Sequence, residues 1–182
     1  RCEVIGECAA DGICGSGIID TIAVLLSAGI LDRSGKLVEG SDPRVRIEKD
    51  RARFVLVEKA DALQGREVAI YQDDIDNVVT AKAAIFAAAK IMLDRLGLAF
   101  DAVERLFIAG GFGSYIDLPN AIAIGLLPDL PLERISYVGN TSVRGARLAG
   151  LSSEAREVLR EISGRTTCYD LLGSPDYVDQ FQ

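Results

Sequence analysis

The sequence contains no histidine, so it lacks the commonest general base and the commonest metal ligand of proteins. Imidazole chemistry is therefore excluded within these 182 residues. The four cysteines, Cys2, Cys8, Cys14 and Cys168, include no Cys-x-x-Cys pair of the kind that structural zinc and iron–sulfur sites use. We interpret them as ordinary thiols of a cytoplasmic protein.

Long apolar runs and an excess of positive charge are also missing. No run approaches the roughly 18 apolar residues that span a bilayer, although 49% of the residues are hydrophobic. We therefore expect no membrane contact, and place the apolar residues in an interior or at a subunit interface. The net charge of −7 argues against nucleic acid as a partner, because an acidic domain repels phosphate backbones. The chain begins with Arg1, and we expect it to be a piece of a longer protein.

The order of the predicted elements indicates an α/β fold. An apolar helix is predicted over residues 15–28, short strands over 53–58 and 67–71, and a long helix from Asp73 or Asp74 to Gly97. From residue 106 onward, strands alternate with helices, which predicts parallel pairing with helices on the faces of the sheet. In such sheets ligands bind beyond the carboxyl ends of the strands.

Four residues at the end of one predicted strand form a glycine-rich turn: Gly110, Gly111, Phe112 and Gly113. Glycine has no Cβ, so a ligand can approach its main chain closely. A glycine turn that leads into a helix also presents free N–H groups to an anion or a flat polar ring. The alternative is a tight strand-to-helix connection that binds nothing. The residues alone leave both interpretations open.

A second glycine turn precedes the first predicted helix, in the segment ADGICGSGIID. Gly12, Gly15 and Gly17 surround Ser16, with a spacing that differs from the dinucleotide-binding fingerprint and from the phosphate loop ending in Gly-Lys-Ser/Thr. Main-chain amides and the Ser16 hydroxyl can hold a phosphate. The alternative is that Ser16 is only the N-cap of a buried helix.

Lys82 interrupts the apolar stripe of the long helix, at a position where the helical period expects an apolar side chain. A buried ammonium group costs on the order of several kcal/mol unless it is paired. Its partner is an internal carboxylate, the carbonyl end of another helix or a bound ligand; alternatively, Lys82 extends to solvent from the edge of the stripe. Together with the two glycine turns, Lys82 favours an anionic ligand of nucleotide size.

Five motifs in order resemble the carboxyl-terminal domain of the reductive activators of corrinoid proteins: GICGSGIID, YQDDI…AKAAI, LFIAGGFGSYID, AIGLLPD and VGNTS…GA. The resemblance runs from Gly12 to the tail. That family belongs to the acetate and sugar kinase, heat-shock chaperone and actin (ASKHA) superfamily of ATPases, in which two ribonuclease-H-like lobes clamp a nucleotide. The resemblance implies that residues 1–182 are part of the second lobe, and that residues 30–97 form a small inserted α+β subdomain.

The same resemblance implies roles for the residues singled out above. The turn at residues 110–113 matches the one that packs against adenosine, and residues 15–17 match the loop that approaches the phosphates. In chaperones and actin a lysine of the inserted helix reaches the adenosine, so Lys82 is expected to contact the base or ribose. The Asp-x-Gly loops that hold Mg²⁺ and phosphate in the superfamily are absent from this sequence. We therefore expect only part of a nucleotide site, and no catalytic base is predicted.

The parent protein implied by the resemblance uses ATP and Mg²⁺ to reduce inactive cob(II)alamin, in a corrinoid protein or methyltransferase, to cob(I)alamin. The electron would come from a ferredoxin-like [2Fe–2S] domain that lies outside this chain, and the fragment by itself is expected to be inactive. Two alternatives stay open. One is a non-catalytic dimerisation and docking module, consistent with a homodimer; the other is an ATPase activator of a different redox enzyme, such as a radical dehydratase.

Overall fold

The computed structural model describes residues 2–6, 8–49, 51–111, 113–171 and 177. The chain forms two compact units, Arg1–Phe86 with Asp117–Pro128, and Ala87–Ile116 with Asp129–Gln182. Within the described residues the regular elements are, in order, α1 (Gly15–Ser27), β1 (Val45–Glu48), β2 (Arg51–Val57), β3 (Val68–Tyr71), α2 (Gln72–Arg95), β4 (Leu106–Ala109), α3 (Leu118–Ala123), β5 (Ile135–Gly139), α4 (Thr141–Leu151) and α5 (Ser153–Arg165). None of the described helices combines the length and apolar character needed to cross a membrane.

The first unit is built around α1, which is buried along one side by Ile19, Ile22 and Leu25. The helix packs against α3, where Ala121 is completely buried. Burial of large aliphatic side chains stabilises such a pair, since each contributes roughly 1.5–3 kcal/mol when removed from water. The predicted helix over residues 15–28 is therefore confirmed, with Ala28 as the C-cap.

The same unit contains a three-stranded antiparallel sheet in the order β1–β2–β3. Phe54 of β2 lies between Val45 of β1 and Ile70 of β3. Phe54 and Ile70 are buried and form part of the core of this unit. The two strands predicted over residues 53–58 and 67–71 are confirmed as β2 and β3, which pair antiparallel, whereas β1 was not predicted.

The second unit contains a two-stranded parallel sheet, in which Leu106 of β4 lies opposite Ile135 of β5. Along the chain each strand precedes a helix, α3 after β4 and α4 after β5, as the alternating pattern predicted. Helix α4 follows β5 directly and is capped by Asn140, whose side chain accepts a hydrogen bond from the Val143 N–H. Because parallel strands end at the same edge of a sheet, the turn after β4 and the start of α4 lie at one edge.

Candidate functional site

The glycine turn after β4 lies where the parallel pairing ends. Gly110 donates its N–H to the carbonyl oxygen of Gly139 at 2.9 Å, and Gly139 is the last residue of β5. This bond continues the pairing of the two strands for one more residue. The turn is therefore fixed to the carboxyl edge of the sheet at its first residue, and Phe112 lies outside the described residues.

The three described glycines of this turn differ in whether and why the structure requires glycine at each position. Gly110 has φ of +102°, a conformation that L-amino acids rarely adopt. A Cβ on Gly113 would lie 2.5 Å from Cγ2 of Ile108, so packing excludes it. Gly111 has neither constraint, because its φ lies outside the left-handed range and a Cβ would meet nothing within 4 Å. The fold explains Gly110 and Gly113, and it leaves Gly111 unexplained.

The glycine turn at the start of α1 is organised by a cysteine. The sulfur of Cys14 accepts a hydrogen bond from the Gly17 N–H at 3.4 Å, which makes Cys14 the N-cap. Ser16 is part of the first turn, with its hydroxyl 3.4 Å from the same sulfur. The alternative that Ser16 is the N-cap is therefore wrong. The sequence analysis missed this role of Cys14 because cysteine is not among the residues usually preferred at N-caps.

The contacts of Cys14 also change its acidity. The hydrogen bond with Ser16, and then that from the Gly17 N–H, hold the pKa of the Cys14 thiol below its usual value. Both groups stabilise the thiolate, because they place hydrogen-bond donors beside the developing negative charge. The thiol is exposed to solvent. The groups that the sequence analysis assigned to phosphate, the Ser16 hydroxyl and the Gly17 N–H, thus already contact the chain's own sulfur.

Gly17 is closely packed within this turn. A Cβ at this position would lie 3.3 Å from both Cys14 Sγ and Ile13 Cγ2. Upstream, Ala10 pairs with Ala62 in an isolated bridge, and Leu63 donates its N–H to the Ala10 carbonyl at 2.7 Å. The segment before α1 is therefore anchored to the residues that precede β3.

Lys82 is half-buried on α2, and its Nζ donates a hydrogen bond to the carbonyl oxygen of Ile124 at 2.7 Å. Ile124 is the C-cap of α3. Of the partners that the sequence analysis considered for Lys82, the structure has the carbonyl end of another helix. The position of a lysine in the apolar stripe of α2 thus has an explanation within the protein.

Another polar contact of the first unit joins α3 to α1. Asn120 donates through Nδ2 to Oδ1 of Asp20 on α1 at 2.8 Å, and both side chains are partly buried. The two residues are 100 positions apart in the sequence. No local pattern indicates such a pair, and the sequence analysis did not predict it.

The candidate residues divide between the two units of the chain. Residues 15–17 and Lys82 belong to the first unit, whereas Gly110, Gly111 and Gly113 belong to the second. Within the described ranges, the structure contains no group of three or more histidine, cysteine or acidic side chains placed to hold a metal ion. The turn at residues 15–17 lies at the start of α1, a position that suits an anion better than a metal.

Comparison with known proteins identifies the family to which this chain belongs. A model described as the C-terminal domain of RACo, the ASKHA domain, matches residues 1–182. The corrinoid activation enzyme RamQ of Eubacterium limosum is 33% identical over 187 residues, covering 98% of this chain and 32% of the relative. The Co(II) methylated amine-specific corrinoid protein reductase of Methanosarcina barkeri is 25% identical over 163 residues, covering 90% of this chain and 26% of the relative.

A solved structure of a reductive activator for corrinoid, iron–sulfur protein aligns with a TM-score of 0.86 and 43% identity. The alignment covers 93% of this chain and 27% of that one. This chain thus spans about a third or less of the length of the proteins it matches. The ASKHA-type α/β fold expected from the five motifs is confirmed. The chain belongs to the family of carboxyl-terminal ASKHA domains of the reductive activators of corrinoid proteins.

Proposed function

We propose that this chain is the nucleotide-binding lobe of an ATP-dependent reductive activator, which returns the cob(II)alamin of a corrinoid protein or methyltransferase to cob(I)alamin. The names of two relatives, a corrinoid activation enzyme and a corrinoid protein reductase, support the substrate class. They also favour corrinoid activation over activation of another redox enzyme. We place the parent protein in the cytoplasm, where free thiols such as the four exposed cysteines of this chain persist.

The observation that carries the proposal is Gly111. A glycine that neither backbone conformation nor packing requires, placed where parallel strands end, leaves bare main chain open to a ligand. In the proposed site the turn at residues 110–113 lies against adenosine, and residues 15–17 lie near the phosphates. Phe112 is included on the basis of the motif alone. For Lys82 the motif implies a contact with base or ribose, but its bond to Ile124 favours the different role argued below.

The proposed reaction moves one electron from a reduced [2Fe–2S] cluster to cobalt, so that the cluster is oxidised and Co(II) becomes Co(I). Hydrolysis of ATP to ADP and phosphate supplies the free energy, through domain closure around the nucleotide. Mg²⁺ would accompany ATP in the full-length protein. The described part of this chain has no cluster of metal-binding side chains, so we place the [2Fe–2S] cluster in another domain of the parent protein.

Two measurements on the full-length protein test this function. Calorimetry with a non-hydrolysable ATP analogue should show one site per chain. With a chemically reduced cluster and a corrinoid protein, loss of the cob(II)alamin absorption band should require ATP and should not proceed with ADP. Equal rates of cobalt reduction with and without ATP would refute the proposal.

A second candidate function is a homodimerisation module, which one observation favours. Among the described residues, neither α4 nor α5 has a buried side chain. Between them lies an apolar groove of about 380 Å³, lined by Gly145, Leu148, Ser152, Glu154, Ala155, Val158 and Leu159. Exposed apolar surface of this kind is typical of interaction sites. Light scattering tests this candidate, since a monomer at high concentration contradicts it.

A further inference from the structure

The contact of Lys82 lies at the carboxyl end of a short helix. The last carbonyl groups of a helix have no partner within it, and the helix dipole makes this end negative. Helix α3 ends at Ala123 with Ile124 as C-cap, and the next residue, Gly125, has φ of +74°. The ammonium group of Lys82 thus donates to a carbonyl that the helix leaves free. A charged donor makes this bond stronger than a neutral one.

The amino-terminal part of α3 is held by a different helix. Asp117 caps α3 by accepting the Asn120 N–H, and the Asn120 side chain donates to Asp20 of α1. Ala121, the next residue, is completely buried where α3 packs against α1. Helix α3 is therefore fixed to α1 through Asn120 and to α2 through Lys82.

Helix α1 carries the turn at residues 15–17 as its first turn, and Asp20 lies one turn further along. A shift of α3 would change the position of Asp20, because the two are joined by a hydrogen bond of 2.8 Å between partly buried groups. The helix that carries Asp20 also carries the proposed phosphate contacts. The polar contacts thus run from Lys82 through α3 to α1.

We propose that Lys82 is a positioning residue, which holds α3 and through it the phosphate-binding first turn of α1, and that it does not contact the nucleotide. This inference rests on the proposed function for the role of residues 15–17. It assigns to Lys82 a task different from the base or ribose contact that the family resemblance implies. The two roles make opposite predictions for adenosine, which has no phosphate.

The test uses the full-length protein with Lys82→Met, which keeps the length of the side chain and removes its charge. We expect the affinity for a non-hydrolysable ATP analogue to fall about tenfold, while the affinity for adenosine stays within twofold of wild type. Amide exchange in α3 and in the first turn of α1 should become faster. Lys82→Arg, which retains a cationic donor, should restore most of the ATP affinity.

Two further variants complete the design. Lys90→Met on the same helix removes a lysine that pairs with Asp94 on the surface, and it should change neither affinity nor exchange. Asn120→Ala cuts the other attachment of α3 and should weaken binding of the ATP analogue in the same way. If both residues act through α3, the double variant should bind little worse than either single variant, because coupled sites are not additive.

Several results would overturn the inference. Equal losses for adenosine and the ATP analogue in Lys82→Met, with unchanged exchange in α3, would mean direct contact with the nucleoside. Faster exchange with unchanged ATP affinity would reduce Lys82 to a structural role. If Lys82→Met does not fold, Asn120→Ala decides the matter by the same ratio of ATP-analogue to adenosine affinity. If wild-type protein binds neither ligand, the proposed function is refuted instead. In that case, unchanged amide exchange in α1 of Lys82→Met would also refute the attachment of α1 to Lys82 through α3.

Discussion

In the turn that begins α1, the main chain is already engaged by the protein, whereas part of the turn after β4 is open. The Gly17 N–H donates to the Cys14 sulfur, and a Cβ on Gly17 would be in tight contact with its neighbours. A Cβ on Gly110 or Gly111 would meet nothing within 4 Å. Both turns are rich in glycine, but the glycines serve different purposes.

The two turns show that the glycines of one motif are required for different reasons, which include backbone conformation and packing. Gly110 is set by its backbone conformation and Gly113 by packing, whereas a Cβ on Gly17 would only be in tight contact with its neighbours. Only where neither applies does the absence of a side chain point to something outside the chain. The number of glycines is therefore a poor measure of a ligand site, and the substitutions below separate the requirements one by one.

Gly113→Ala should have the largest effect. Its Cβ would lie 2.5 Å from Cγ2 of Ile108, a β-branched side chain in β4 that can move this atom only by rotation about its stiff Cα–Cβ bond or by a shift of the strand. Overpacking of this kind costs about 1–3 kcal/mol. Denaturant unfolding monitored by circular dichroism should show this loss. A stability equal to wild type would mean that Gly113 is not required by packing, and the distinction between the two kinds of glycine in this turn would fail.

The sequence was sufficient to predict those strands and helices that are marked by residues within or next to them. The strand predicted to begin at residue 106 and to end at the glycine turn coincides with β4, because the glycines that follow the short apolar run mark its carboxyl end. Strand β1, in contrast, was missed because Val45–Glu48 is only four residues long and is followed directly by further charged residues. One of its charged side chains, Glu48, pairs with Arg53 of β2, which also contacts Glu67 just before β3.

The same reasoning applies to the candidate site. Lys82 was recognisable because it interrupts a periodic pattern within one helix, but its partner Ile124 is 42 residues away. The contact between Asn120 and Asp20 has no local signal at all, since either residue is unremarkable on an exposed helix face. Residue types therefore identified which positions were unusual, and only the tertiary structure showed what each position contacts.

Substitution of Gly111 tests whether the turn after β4 binds the nucleoside, and its expected effect is the second largest. Gly111→Val should lower the affinity of the full-length protein for an ATP analogue at least tenfold, about 1.4 kcal/mol, because the side chain would occupy the space next to the nucleoside. Gly111→Ala should leave the free energy of unfolding within about 0.5 kcal/mol, since its Cβ meets nothing. Isothermal calorimetry and denaturant unfolding measure the two quantities.

Gly164→Ala provides the matched control for Gly111, because its Cβ is also unobstructed and it lies at the end of α5. It should change neither affinity nor stability by a measurable amount beyond its helix propensity. Unchanged nucleotide affinity in Gly111→Val would show that the open turn is not the adenosine site, whatever the effect of Gly113→Ala.

The hydrogen bonds of the Cys14 thiol, in the turn that begins α1, lead to a prediction about pH. Only the thiolate reacts with iodoacetamide, so the pH midpoint of Cys14 alkylation reports its pKa. Because the Ser16 contact is the largest cause of the lowered pKa, Ser16→Ala should move this midpoint upward. The native contacts favour the ionised thiol, so their contribution to stability is present above the unfolded pKa and is lost as the pH falls through the native pKa.

Peptide-resolved mass spectrometry can follow Cys14 separately from the other cysteines. A bound ATP analogue should slow its alkylation and raise the midpoint, because phosphate charge disfavours a nearby thiolate. An unchanged midpoint in Ser16→Ala would contradict the hydrogen bonding that distinguishes this turn. Alkylation that is insensitive to a nucleotide already shown to bind would place the phosphates elsewhere.

Gly17→Ala should have only a small effect on stability and is the most informative about the difference in packing between the turns. Alanine is favoured over glycine in a helix by roughly 0.5–1 kcal/mol, but its Cβ would be 3.3 Å from Cys14 Sγ and Ile13 Cγ2. Both are side-chain atoms at the exposed or half-buried start of α1 and can move by a few tenths of an ångström. We therefore expect the two effects to offset within about 0.5 kcal/mol, with the displaced sulfur showing a raised alkylation midpoint. A loss as large as that of Gly113→Ala would mean that the first turn of α1 is as rigidly packed as the end of β4, and the contrast would then lie only in Gly111.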